Sequence, residues 1–456
     1  MSKHIHILGI CGTFMGSLAV LAKQKGYKVT GSDLNVYPPM STYLESQGIE
    51  IIQGFDSEQL NTHPDEIIIG NIMKRGMPII EKILAQKLKY FSGPEWLYNN
   101  ILKDKKVIAI AGTHGKTSTT TMVIKILEEA GLNPSFLVGG VSSDFGISSR
   151  YTDSEYFVIE ADEYDTAFFD KRSKLIHYNP DIFVINNIEF DHADIFKDID
   201  AIFWQFHQLI RKMPSTAKII YNDKDENIKK IISMGCWSEI IKTNFNDGIH
   251  IAKNTLDYSK FTLCDIDNNS VEISWHLIGE HNTLNAMSAF AVAKQLNIDN
   301  DVIKKALENF KGVKRRLEIL FNQKNITLYD DFAHHPTSIK LTLDALRKKN
   351  QKSYIIALID PRSNTMRQGD NKDNLPMSIT DADTVLLYNH SLLKWDAKQV
   401  LKNSYNVDFI SNIDDFITSI SNLLNTHKNK DIQIVIMSNG SFDGLREKLV
   451  NFLENK

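Results

Sequence analysis

Cysteine is scarce: among 456 residues only Cys11, Cys236 and Cys264 carry a thiol. Three scattered thiols build neither a disulfide framework nor a zinc site, and they fit a reducing compartment. An excess of one charge is missing too, with 52 Lys and Arg against 56 Asp and Glu and a formal net charge of −4. That balance gives no global pull toward nucleic acid or anionic lipid. No apolar run approaches the roughly 20 residues needed to span a bilayer. The opening, Met1–Gly9, has no cationic stretch followed by a long apolar one, so it reads as a strand and not as a secretory signal. Internal repeats and low-complexity tracts are lacking as well. These absences predict a cytoplasmic protein with no nucleic-acid or membrane partner.

What is present is ordinary folded composition, 42% hydrophobic and 24% charged. At roughly 150 residues per domain the length suggests about three domains. The first unit, 1–104, opens with a strand at His4–Leu8. Gly9, Gly12 and Gly16 follow, then a helical stretch over Ser17–Lys25 and a strand at Tyr27–Thr30. Strand, glycine turn, helix and strand begin a doubly wound sheet. A strand at Glu66–Gly70 continues it, and Lys103–Lys106 reads as a linker. In the second unit, 105–312, apolar runs at Val107–Ala111, Tyr156–Ile159, Ile182–Ile185 and Lys218–Tyr221 predict strands buried on both faces. Helices are predicted over Ser118–Ala130 and Asn282–Leu296, with a polar strand-like stretch at Gly248–Trp275. The third unit, 313–456, alternates again: strands at Ile326–Tyr329, Tyr354–Ile359, Thr384–Leu387 and Gln433–Met437, helices at Pro336–Lys349 and Asp414–Leu424.

The strongest chemical signal is Gly112-Thr113-His114-Gly115-Lys116-Thr117, followed by Ser118, between a buried strand and a helix. Backbone N–H groups in such a turn cradle phosphate, helped by the helix N-terminus. Lys116 would reach the terminal phosphates and the Thr117 hydroxyl would ligate Mg²⁺. The usual phosphate loop has a glycine five residues before Gly115, where this chain has Ile110, so the loop is a shortened variant. Glu160 ends one neighbouring strand and His192 follows another. Ligands bind beyond the carboxyl ends of parallel strands, so Thr117, Glu160 and His192 are expected to converge as metal ligands, with Asp162, Glu163 and Asp165 left as surface or supporting groups.

Weaker signals surround that core. Asn282 and Asn285 share a helix face and would cap the helix or read a base edge. Arg315-Arg316 would neutralise a phosphate or form a surface ion pair. Asp330-Asp331 ends a strand, and His334-His335-Pro336 begins a helix with no metal-ligand spacing in view.

In order, Gly-Thr-His-Gly-Lys-Thr, Glu-Ala-Asp-Glu, Asp-His, Gly-Glu-His-Asn and Asp-Asp-Phe-Ala-His-His-Pro resemble the motif series of the Mur ligases, from Ile5 to near Gly444. The resemblance implies a three-domain α/β protein: a Rossmann-like UDP-sugar-binding domain, a central ATP-binding domain with a phosphate-loop ATPase-like parallel sheet, and a Rossmann-like C-terminal domain that binds the incoming amine. It implies an ATP- and Mg²⁺-dependent amide ligase of peptidoglycan metabolism. Two branches share the histidine-containing loop and act on UDP-N-acetylmuramate. One adds L-alanine; the other adds the recycled murein tripeptide L-alanyl-γ-D-glutamyl-meso-diaminopimelate. Gly9–Gly16, Asn35–Ser41, Ser92–Leu97, Pro361–Met366 and Met437–Gly440 resemble the second.

By that resemblance Lys116 contacts the β,γ-phosphates, Thr117 with Glu160 holds one Mg²⁺ and His192 a second. His281, Asn282 and Asn285 contact adenosine, Arg316 faces the terminal phosphate, and Asp331 lies near the ribose. Gly9, Gly12, Thr13, Ser32 and Asp33 belong to the UDP-sugar site, and Arg362 and Asn364 to the peptide site. Members that use a carbamylated lysine place it where this chain has Trp204–His207, which contains no lysine. The expected assembly is a monomer or weak homo-oligomer. Two rivals stand beside this reading. A dinucleotide oxidoreductase fits poorly, because Gly9, Gly12 and Gly16 do not form the G-x-G-x-x-G pattern. A noncatalytic nucleotide switch would not need the whole motif series.

Overall fold

A computed structural model describes residues 2–38, 40–404 and 406–456. Met1 and Pro39, the latter within the Asn35–Ser41 segment, lie outside the described residues. Three open sheets follow one another along the chain. The first is fully parallel, ordered Glu50–Gln53, Lys28–Asp33, His4–Leu8, Glu66–Ile69, Tyr90–Ser92. Its strand order reverses beside His4–Leu8, which opens a crevice above the turn that begins at Gly9.

The second sheet runs Glu239–Thr243, Lys218–Asn222, Ile182–Ile185, Lys106–Ala111, Tyr156–Glu160, Ser135–Leu137, with Ser149–Arg150 antiparallel at its edge. Ile182–Ile185 and Lys106–Ala111 are buried except Lys106, the pattern of strands covered on both faces. Helices Lys116–Glu129 and Glu280–Gln295 pack together over one face. The polar stretch after Gly248 is a separate antiparallel sheet of three strands, His250–Asn254, Lys260–Cys264 and Ser270–Ser274.

The third sheet is ordered Glu318–Gln323, Ile326–Asp331, Ile432–Met437, Tyr354–Ile359, Thr384–Tyr388, Val407–Ile410, with only Glu318–Gln323 antiparallel. Its two faces bury separate apolar clusters. Among the described residues no helix is long and apolar enough to cross a membrane.

Two expected boundaries move. The first helix spans Thr13–Gln24 and not Ser17–Lys25. Gly16, a weak helix former, lies inside it because a Cβ there would meet Met40 Sδ at 2.7 Å and the Ile10 carbonyl at 3.2 Å. The Lys103–Lys106 linker is largely ordered, as a short helical turn at Leu102–Asp104 followed by the strand from Lys106.

Candidate active site

Lys106–Ala111 feeds Gly112–Gly115 into the helix Lys116–Glu129, and Ile182–Ile185 feeds the loop Asn186–Glu189 beside it. The two loops are laced across the crevice. Thr113 N donates to the Asn187 carbonyl at 3.0 Å, and His114 N to Asn187 Oδ1 at 2.8 Å. Glu189 N donates to Thr113 Oγ1 at 2.8 Å. Gly112 has φ +137° and Gly115 φ +78°. A Cβ on Gly115 would collide with Asn285, so the phosphate loop and the helix from Glu280 fit only with glycine there.

A cavity opens on this side of the loop. Its wall includes His114, Ser118, His281, Asn282, Asn285, Arg316 and Asp331, drawn from the second and third units. His281 Nδ1 is buried without a partner, and burial, with Arg316 nearby, pushes its imidazole down to about 4. A neutral, unpartnered ring nitrogen suits a nucleobase. Asn282 donates Nδ2 to the Ile278 carbonyl at 2.8 Å, while Gly279 is the residue that caps the helix. The capping role weighed for the asparagines therefore falls to glycine. Arg316 makes no ion pair among the described residues and lies over the Phe332 ring, whereas Arg315 is engaged by Asp330 and the Ser438 and Gly440 carbonyls. Asp331 accepts from Leu317 N at 2.7 Å and Ala333 N at 2.7 Å, so it also shapes the turn carrying Arg316.

On the opposite side of Lys116 lies a charged cluster. Lys116 Nζ donates to Glu163 Oε2 at 2.7 Å and sits 3.7 Å from Asp162 Oδ1. His192 Nε2 is 3.0 Å from Glu163 Oε1. Burial would lower the Lys116 ammonium, but Glu163, Asp162 and Glu160 outweigh it and hold the group protonated. Burial likewise works against the His192 imidazolium, yet Glu163 and Asp191 raise it. Glu160 accepts from Gly139 N at 2.7 Å; burial raises its carboxyl despite Lys116.

Beside Lys116, ligand atoms of Asp162, Glu163 and His192 lie within 4.8 Å of one another. Glu163 is 3% exposed, so the surface half of its expected role is excluded; it is bonded to Lys116 and His192. Asp165 is buried too, engaged by Lys171 and Asn71. Oxygen donors of this kind suit a hard divalent cation. A second group, His114, Glu189 and His335, joins the phosphate loop to the third unit. His114 Nε2 is 2.9 Å from Glu189 Oε2, and His335 Nδ1 is 3.4 Å from the same oxygen. Sequence spacing around His334-His335 showed no partner because Glu189 belongs to another unit.

In the first unit Gly9, Gly12, Thr13 and Asp33 line a cavity of about 640 Å³. The helix from Thr13 has Gly12 at its cap and no side-chain cap bond, leaving N–H groups free for an anion. Asp33 Oδ2 accepts from Cys11 N at 2.9 Å and steadies the turn. Ser32 is fully buried and does not line the cavity; its carbonyl receives Gly9 N and Ile10 N. In the third unit Arg362 lies between Asp360 at 3.0 Å and Asp443 at 2.9 Å, and Asn364 accepts from Arg367. Next to them Thr365 Oγ1 donates to Asp191 Oδ1 at 2.8 Å, which brings this segment against the loop carrying His192. In the Trp204–His207 stretch His207 is buried with both ring nitrogens unpartnered.

A phosphate loop walled by three α/β units, with a base-sized cavity on one side and a glycine-turn cavity on the other, defines a multidomain nucleotide-dependent enzyme. The chain belongs to the Mur ligase family. Residues 4–104 match the Mur ligase family catalytic domain, 110–293 the Mur ligase middle domain, and 315–440 the Mur ligase glutamate ligase domain. A UDP-N-acetylmuramate–L-alanyl-γ-D-glutamyl-meso-2,6-diaminoheptandioate ligase of Haemophilus influenzae is 46% identical over 459 residues, covering 100% of both chains. The crystal structure of a murein peptide ligase from Psychrobacter arcticus matches at 43% identity and TM-score 0.73, over 100% of this chain and 99% of that one. A UDP-N-acetylmuramate–L-alanine ligase of Caldicellulosiruptor bescii is 36% identical over 80% of this chain and 78% of its own.

Proposed function

We propose that this enzyme uses ATP to join the lactyl carboxylate of UDP-N-acetylmuramate to the α-amine of L-alanyl-γ-D-glutamyl-meso-diaminopimelate. The observation that carries the reading is identity: 46–47% to tripeptide ligases along essentially the full chain, against 36% and 31% to L-alanine ligases. Protein of this kind acts in the cytoplasm on recycled murein peptide, as a monomer or weak homo-oligomer.

A carboxylate is a poor electrophile, and its charge repels the triphosphate. Adenosine enters the cavity bounded by His281, Asn282 and Asn285, with Asp331 toward the ribose. The phosphate loop from Gly112 to Ser118 holds the phosphates by backbone N–H groups. Lys116 and Arg316 place positive charge where the γ-phosphoryl group transfers. Thr117, Glu160, Asp162, Glu163 and His192 would hold Mg²⁺, which supplies charge neutralisation for the phosphates. The glycine turn at Gly9–Thr13 seats the UDP diphosphate. The sugar carboxylate attacks the γ-phosphorus, ADP leaves, and the peptide amine attacks the resulting acyl phosphate with release of phosphate. Contacts from Ser338 and Thr365 draw the third unit over the loop and exclude water from that intermediate. Arg362 and Asn364 mark the end of the third sheet where the peptide binds.

Purified enzyme given ATP, UDP-N-acetylmuramate and equal L-alanine and tripeptide tests the reading. Mass spectrometry should find the UDP-linked tripeptide product; a product carrying only L-alanine would overturn the choice of acceptor.

A further inference from the structure

One lysine lies outside every motif used so far. Lys174 follows the hairpin Asp165–Ala167 and Asp170–Ser173. Its Nζ donates to Asp162 Oδ2 at 3.0 Å, while Lys116 approaches the other oxygen of the same carboxylate, Oδ1, at 3.7 Å. Lys174 also lines the glycine-turn cavity, together with Thr166 the second unit's contribution to a wall otherwise built by the first. The Phe14 ring, on the first turn of the helix from Thr13, lies 5.4 Å from its ammonium, and the Tyr164 ring 5.7 Å. The side chain is 17% exposed.

Its position is fixed by the backbone. Lys174 N donates to the Tyr164 carbonyl at 2.8 Å and Leu175 N to the Asp162 carbonyl at 3.2 Å, so the hairpin closes with Lys174 beside Asp162. An ammonium has three donors. Among the described residues Asp162 is the one hydrogen-bond acceptor that Lys174 Nζ meets. Two donors remain at the wall of the cavity.

We infer that Lys174 binds the lactyl carboxylate of the sugar nucleotide and sets it against the phosphoryl group held by Lys116. The inference rests on the proposed ligase reading and deepens it. In this cavity the free N–H groups of the helix from Thr13 take the diphosphate, and Lys174, half-neutralised by Asp162, faces the acid. Asp162 accepts from Lys174 through Oδ2 and has Lys116 3.7 Å from Oδ1, so a single carboxylate stands between the two lysines. A charge-assisted contact of this kind discriminates an acid from its neutral analogue by about tenfold or more.

The test is equilibrium binding of UDP-N-acetylmuramate and of UDP-N-acetylglucosamine, which lacks the lactyl acid, to the full chain. Wild type should favour the acid. Lys174→Met should lose about tenfold or more for the acid while its affinities for UDP-N-acetylglucosamine and ATP stay within about twofold, and Lys174→Arg should keep the preference. Retained acid preference in Lys174→Met overturns the inference. Should Lys174→Met fail to fold, Lys174→Gln, which can still donate to Asp162, serves in its place with the same expected loss. Wild type that binds neither sugar nucleotide, or forms no amide, sinks the ligase reading itself; wild type that ligates while the variants keep their preference sinks only the role of Lys174.

Discussion

His114 Nδ1 on the phosphate loop lies 3.1 Å from Ser338 Oγ on the third unit's helix, 224 residues further along the chain. With Nε2–H donated to Glu189, Nδ1 is left to accept the serine hydroxyl. The Gly112–Thr117 loop is therefore tied directly to the third unit, for which we propose peptide binding. Ser338→Ala should leave the melting temperature within a few degrees and lower kcat about threefold to tenfold, as loss of one hydrogen bond predicts. Steady-state kinetics with unchanged turnover would show that this contact does not hold the closed arrangement.

Lys116→Ala removes the cation from a pocket that keeps Glu163 and Asp162 in place. Amide formation should fall by about a thousandfold or more. Circular dichroism and ATP-independent binding of the sugar nucleotide should remain. Near-normal turnover would refute the assignment of Lys116.

Glu163→Gln tests the metal role proposed for Glu163. Lys116 and His192 both lose their ionised partner, so turnover should drop about a hundredfold or more while the second unit stays folded. Titration with Mn²⁺, followed by paramagnetic relaxation, should weaken in parallel. Unchanged metal affinity and turnover would return Glu163 to a supporting role.

Gly115→Ala should damage ATP binding without touching the sugar cavity. Its φ of +78° strains any other residue, and a Cβ would strike Asn285. We expect about 1–3 kcal/mol of lost stability and a rise of at least about tenfold in the ATP dissociation constant. Calorimetry with ATP and with UDP-N-acetylmuramate separates the two cavities.

Burial pushes the imidazoles of His281, His334 and His335 each down to about 4, against an ordinary value of 6.5. Between those values the unfolded chain binds more protons than the folded one. Stability should hold above about pH 6.5 and decline as pH falls toward 4, by up to about 3 kcal/mol for each imidazole. Urea unfolding across that range should show the slope, and His335→Gln should reduce it by about one proton. A slope unchanged in the variant would mean that His335 is not the buried neutral ring described.

Local signals carried the phosphate loop. A buried strand, glycines at positive φ and a helix opening on Lys116 are written within a dozen residues, and the helix Pro336–Lys349 keeps its predicted ends because proline starts it. The edge strands Glu318–Gln323 and Val407–Ile410 escaped because their residues are mostly half-buried or exposed and carry little apolar pattern. Glu163 read only as a surface or supporting group, since its partners, Lys116 and His192, come from other strands' loops. Proximity of that kind is tertiary, and the run Glu160-Ala161-Asp162-Glu163 holds only one faint sign of it, acids crowded directly behind a buried strand. His335 was opaque for the same reason, its partner Glu189 lying across a unit boundary.

Because one aspartate separates Lys116 of the Gly112–Thr117 loop from Lys174 at the wall of the glycine-turn cavity, the two proposed chambers are close neighbours. A synthetic molecule carrying an adenosine at one end, an acid-bearing sugar at the other and a short tether between them would occupy both while losing its freedom of tumbling once. Such tethering should multiply the affinities of the separate halves, to the extent that the tether matches the width of that single carboxylate.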